Sequence, residues 1–139
     1  MRKGHVKLFV FMLVIAMLAS SVSVFAIDST IVPLRYEKVM ECAAALKISS
    51  RGYAACSGEL QLRNGATADM TVTLLSSENK SSWTTVDSWE TSGSSWLVID
   101  DGCYVMSGKY YAVKVSADVY SSDGTFIEHV YTTSNIVQY

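Results

Sequence analysis

The sequence is short of the residues that carry most enzymatic chemistry. Its 139 residues include two histidines, three cysteines and a single proline, Pro33, and only 17% are charged. A Ser-His-Asp triad needs a histidine held by a third group, and beyond the first 26 residues only His129 is available. No Gly-x-Ser-x-Gly or Cys-x2-Cys sequence occurs, so neither a nucleophile elbow nor a cysteine-based metal site is indicated. Asp100-Asp101 lacks the ligand count calcium requires and reads as a solvated turn doublet. No catalytic, cofactor-binding or metal-binding residue is therefore assigned, and an enzyme is not expected. There is also no apolar run of the roughly 20 residues that span a bilayer as a helix.

The longest apolar run, Leu8 to Ala19, has a different meaning. Arg2, Lys3 and Lys7 precede it, and small residues follow it up to Val24-Phe25-Ala26. That pattern is a secretory signal peptide, residues 1–26, with cleavage expected after Ala26. The remaining 113 residues keep all 13 acidic residues and lose three basic ones, leaving a net charge near −5. An acidic chain without basic clusters argues against nucleic acid and against anionic membranes as partners. The expected location is extracellular, with no membrane association after cleavage.

The rest of the sequence is rich in Ser, Thr, Val and Tyr, and its apolar residues recur at every second position. Ala54, Cys56, Gly58, Leu60 and Leu62 form one such row; Ala68, Met70, Val72 and Leu74 form another; Tyr111, Val113, Val115, Ala117 and Val119 form a third. Period two is the strand signal, and each row predicts a sheet with one buried face. Turn sequences such as Asn64-Gly65, Asp101-Gly102 and Asp123-Gly124 punctuate the rows. Seven strands are predicted, at about 43–49, 53–62, 67–77, 82–90, 95–99, 109–120 and 125–138. The fold class is all-β, an antiparallel sandwich of the immunoglobulin or fibronectin type III kind, spanning 42–139 behind a lead-in at 27–41. Residues 34–42 also carry good helix formers, and a short helix there competes with strand. The expected core is Leu46, Ile48, Leu60, Leu62, Met70, Val72, Leu74, Tyr111, Val113 and Val115.

Register arithmetic sharpens this picture. A two-residue hairpin at Asn64-Gly65 would face Leu60 with Asp69 and put the two apolar rows on opposite sides. Either a bulge intervenes or the chain crosses to the other sheet there, and the crossing is the favoured reading. At the other end, a two-residue Asp123-Gly124 turn would place Asp118 opposite His129, Ser116 opposite Tyr131 and Tyr120 opposite Ile127. It would also bring Glu128 beside Val119, tolerable only at the sandwich rim.

Four segments together resemble a family of small secreted proteins from clostridial and related Gram-positive bacteria that is built on a domain of unknown function. They are Cys42-x13-Cys56 around Ala44-Ala45-Leu46-Lys47-Ile48, the run Met70 to Leu75, Ser82-Trp83-Thr84-Thr85-Val86-Asp87-Ser88-Trp89, and Ser107-Gly108-Lys109-Tyr110-Tyr111-Ala112-Val113-Lys114-Val115. The resemblance covers about 42–139 and implies an extracellular immunoglobulin-like sandwich; it implies no activity and no catalytic residue. Cys103 and Asp100-Asp101-Gly102 depart from its pattern. The resemblance implies a Cys42–Cys56 disulfide. A Ser49–Tyr53 pairing objects, because it sets Cys56 opposite Leu46 and Cys42 opposite Leu60, about 13 Å apart along the strand. Cys56–Cys103 and no disulfide at all are the alternatives.

The remaining candidates are Trp83, Trp89 and Trp96, since exposed indoles often supply binding energy. Trp83 and Trp89 are six apart and on a regular strand would share a face with Thr85 and Asp87. The sequence thus points to an extracellular protein-interaction or adhesion module, with a carbohydrate-binding module using Trp83 and Trp89 as the alternative. Its expected partner is an extracellular protein or a glycan.

Overall fold

The computed structural model describes residues 36–139; the signal peptide assigned to 1–26 and most of the lead-in lie outside the described residues. Eight strands follow one another: β1 (Val39–Ile48), β2 (Tyr53–Leu62), β3 (Thr67–Ser77), β4 (Thr84–Ser94), β5 (Trp96–Tyr104), β6 (Tyr110–Tyr120), β7 (Phe126–Thr133) and β8 (Val137–Gln138). They form two antiparallel sheets, β1-β2-β5 and β4-β3-β6-β7, with β8 also paired to β6. Where 125–138 was expected as one strand, the chain leaves the ladder after Thr133 and returns as β8 against Tyr110 and Tyr111. A sandwich with consecutive strands shared in this way is the expected immunoglobulin-like architecture.

The connections show how the alternating rows reach the same core. Between β2 and β3 the Ala66 amide donates to the Arg63 carbonyl at 3.2 Å, and Gly65 has φ 81°. Positive φ at the third turn position defines a type II turn and favours glycine. This turn does not pair β2 with β3; it carries the chain across to the other sheet, the favoured of the two readings of the register. Ser95, at φ 67°, kinks an otherwise extended stretch, so that β4 lies in one sheet and β5 in the other. At the start of β6 the Tyr111 hydroxyl donates to the Met106 carbonyl at 2.5 Å. That is the tyrosine corner of such sandwiches, tying the strand to the connection before it.

Between the sheets lies one apolar core. Leu60, Leu62, Met70, Val72, Leu74, Tyr111, Val113 and Val115 are buried, while Leu46 and Ile48 are partly buried against them. Gly58 lies directly against the opposite sheet. A Cβ there would run into a Val72 methyl and would sit 2.8 Å from Val115 Cγ2, so the valines occupy the space of the missing side chain.

The short helix near 34–42 is not formed in the described part of that segment. Val39–Ile48 is strand, and it begins ahead of Cys42. Two long-range interactions outweigh the local helix propensity. Val39 is buried in the core, and the amides of Glu37 and Lys38 donate to the Glu128 carboxylate at 2.8 and 2.7 Å. The acidic residue that looked awkward beside Val119 therefore caps the entry to β1 from the rim. The Asp118–His129 and Ser116–Tyr131 pairings are as expected, but the turn is not a two-residue one. Ser121 N–H bonds Thr125 O, and Gly124 with φ 84° closes a three-residue loop. A bulge then restores the register, pairing Tyr120 with Phe126 in place of Ile127.

The face assignment has a direct check. Val72 is fully buried, whereas Thr73 pairs with Ser88 and Lys114 on the outer side. Val72→Asp buries an unpaired carboxylate and is expected to cost at least about 4 kcal/mol, against about 0.5 kcal/mol or less for Thr73→Asp. Urea denaturation of the two variants measures both.

Candidate binding face

A sandwich buries one side of each strand, so every second residue of β1, β2 and β5 is left on the outer side of the three-stranded sheet. Cross-strand rows there read Glu41–Gln61–Trp96, Ala43–Glu59–Val98, Ala45–Ser57–Asp100 and Lys47–Ala55–Gly102, ending with Tyr53 beside Tyr104. The middle rows carry small side chains, which leave a trough of about 380 Å³ lined by Ala45, Lys47, Tyr53, Ala55, Ser57 and Asp100 among others. Aromatic rings stand at both ends of the face, the Tyr53 ring lining the trough and Trp96 lying outside it. Tyr53 and Tyr104 meet edge to face at 5.3 Å, and Tyr104 is 74% exposed. At the other end Trp96 is 64% exposed, and Val98 beside it is 43% exposed. The Trp96 Nε1–H donates to Glu59 Oε1 at 2.8 Å, and Gln61 Nε2 donates to the same oxygen at 3.0 Å.

The three indoles are thus in three different settings. Trp89 pairs with the buried Val72 and packs against the core. Trp83 precedes β4 and is half-buried. A bulge at Val86 separates them, Leu74 pairing with Asp87 and Leu75 with Thr85. The extra residue changes the alternation, so a spacing of six does not put Trp83 and Trp89 on one face. Trp96 alone stands open, on the other sheet. The turn expected at Asp100-Asp101 is also corrected: both lie within β5, opposite Ser57 and Cys56. An edge strand has room for such charges because its outer side faces water.

All three cysteines are free thiols. The Cys42–Cys56 disulfide implied by the resemblance is not made, because Cys42 pairs with Leu60 and Cys56 with Leu46, four residues apart. Nor is Cys56–Cys103: Cys56 lies opposite Asp101, and Cys103 opposite Ala54. Diagonal neighbours of this kind have Cα atoms about 7–8 Å apart, beyond ordinary disulfide reach. Burial pushes the Cys42 thiol up to about 11. Burial, followed by the nearby Cys103, Asp101 and Asp87, pushes Cys56 up to about 12. Cys103 is raised in the same direction, by burial and then by Asp87 and Asp101.

His129 Nδ1 lies 2.6 Å from Asp118 Oδ1, with both side chains about half exposed on the outer face of the larger sheet. It is a cross-strand surface pair. Among the described residues no group of three or more His, Cys, Asp or Glu side chains is placed to hold a metal ion, and no helix is long and apolar enough to cross a membrane.

The sequence reading named Trp96 but missed the Tyr53–Tyr104 pair, Glu59, Gln61 and the alanine floor. The signal was present in β2, where Tyr53, Ala55, Ser57, Glu59 and Gln61 are the partners of the inward row. No family model matches this chain, and a search of curated proteins also finds no match.

The thiols generate a pH prediction. Each ordinarily ionises near 9.0, but Cys42 and Cys56 hold their protons to about 11 and 12 when folded. Unfolded chains then lose protons first, so the contribution is complete below about pH 9 and is lost as pH rises through the folded values. Urea midpoints should fall more steeply between pH 9 and pH 11 in the wild type than in Cys56→Ala.

Proposed function

We propose that this protein is a secreted interaction module that binds another protein on the outer face of its three-stranded sheet. The face carries the reading: exposed aromatic rings stand at both of its ends, and aromatics dominate the binding energy of interfaces. Small residues beside the Tyr53 ring leave a trough that a partner's side chains could enter. The signal-peptide pattern at 1–26 and the resemblance to small secreted Gram-positive proteins support an extracellular setting. A sandwich that presents an open, aromatic-bearing sheet face fits adhesion or recognition. The carbohydrate alternative rested on Trp83 and Trp89 as a shared platform, and the Val86 bulge removes that support. An aromatic-lined face could only serve it through Trp96 and the tyrosines.

Panning a displayed random-peptide library on the wild-type protein, with Ala45→Arg as counter-selection, tests the proposal. The arginine fills the trough from an outward position and should leave the melting temperature within a few degrees. Enriched peptides are expected to bind the wild type and to lose at least tenfold in affinity for the variant. Peptides that bind both proteins equally, or oligosaccharides alone binding through Trp96 on a glycan array, would contradict it.

A further inference from the structure

The charge and dimensions of the same face say what kind of protein segment it takes. Its outward side chains include three carboxylates, Glu41, Glu59 and Asp100, against one cation, Lys47. Both hydrogen bonds to Glu59 use Oε1, which leaves Oε2 for a donor from outside. A second copy of this acidic chain would bring these carboxylates against their own kind, so complementarity favours a basic partner. Three strands spaced about 4.8 Å apart make a floor about 10 Å across, the diameter of a helix with its side chains. Along β2, Tyr53 and Gln61 are eight residues apart, a span of roughly 27 Å, which matches about 18 helical residues at 1.5 Å each.

We infer that the outer face of the three-stranded sheet, of which the trough is one part, docks a basic amphipathic helix of a partner protein. Its apolar stripe would lie on Ala43, Ala45, Ala55 and Ser57 between Trp96 and the Tyr53–Tyr104 pair. Its flanking lysines or arginines would meet Glu41, Glu59 and Asp100. This is the helix-in-groove mode of recognition, with anchors at i, i+3, i+4 and i+7. The inference rests on the reading that this face binds protein.

Three synthetic 18-residue peptides test it. One is a leucine–lysine peptide with an amphipathic helical arrangement, one has the same composition shuffled, and one is the amphipathic arrangement with glutamate replacing lysine. Titration calorimetry against the purified protein is expected to show binding of the first alone, at least tenfold weaker in Ala45→Arg and unchanged in Thr73→Arg on the opposite sheet. Asp100→Asn, which leaves the trough open, should weaken it severalfold and flatten its salt dependence. Equal binding of the shuffled peptide, or indifference to Ala45→Arg, overturns the inference. A concentration-dependent dimer abolished by Ala45→Arg, or library peptides that need the face but are not basic helices, overturns the helix as occupant and leaves the face reading standing. If no ligand of any kind depends on Ala45, both fall together.

Discussion

The contact between Gly58 and the two valines of the opposite sheet, Val72 and Val115, leaves no room for a side chain at this point between the sheets. With no side chain at Gly58, the inner row of β2 can lie against β3 and β6 and seal the core. Because strands alternate, fixing that inner row also fixes the outer one: Tyr53, Ala55, Ser57, Glu59 and Gln61 must then face away. A slip of one residue in β2 would exchange the two rows and bury Glu59. The open face of the three-stranded sheet is thus a consequence of how the core closes.

A second constraint acts at the rim. The Glu128 carboxylate accepts the amides of Glu37 and Lys38 as the chain enters β1, joining the first strand to the seventh. The tyrosine corner at Tyr111 does similar work at the other connection. Both are side chain to backbone bonds made away from the outer face of β1, β2 and β5, where the Tyr53–Tyr104 contact and the Trp96–Glu59–Gln61 cluster lie. The Glu59 carboxylate restrains the Trp96 indole through its Nε1–H, which lowers the cost of ordering it on binding.

Much of this was legible in the residues, and the reasons differ by element. Alternation is unbroken in β2 and nearly unbroken in β3 and β6, so their inward rows followed from period, and register disfavoured a simple hairpin at Asn64-Gly65. The β1–β2 pairing followed from the short Ser49–Tyr53 connection, which is also why Cys42 and Cys56 stand apart. What failed was local. Residues 36–42 contain good helix formers, and their strand entry depends on Glu128, some ninety residues away. The Val86 bulge leaves no local sequence mark, so Trp83 and Trp89 seemed to share a face. Asp100-Asp101 has turn composition, yet an edge strand tolerates it. The face proposed for binding was missed because alanine and serine report nothing by themselves; only the pairing of three separate strands turns them into a floor.

Trp96 stands on an open surface, whereas Trp89 packs against the core and Trp83 is half-buried just before β4. Acrylamide quenching of three variants, each retaining one tryptophan and carrying phenylalanine at the other two positions, measures this most directly. The account predicts that Trp96 is quenched severalfold more efficiently than either Trp83 or Trp89. Protection of Trp96 equal to that of Trp89 would mean that its face is covered, and would contradict the account.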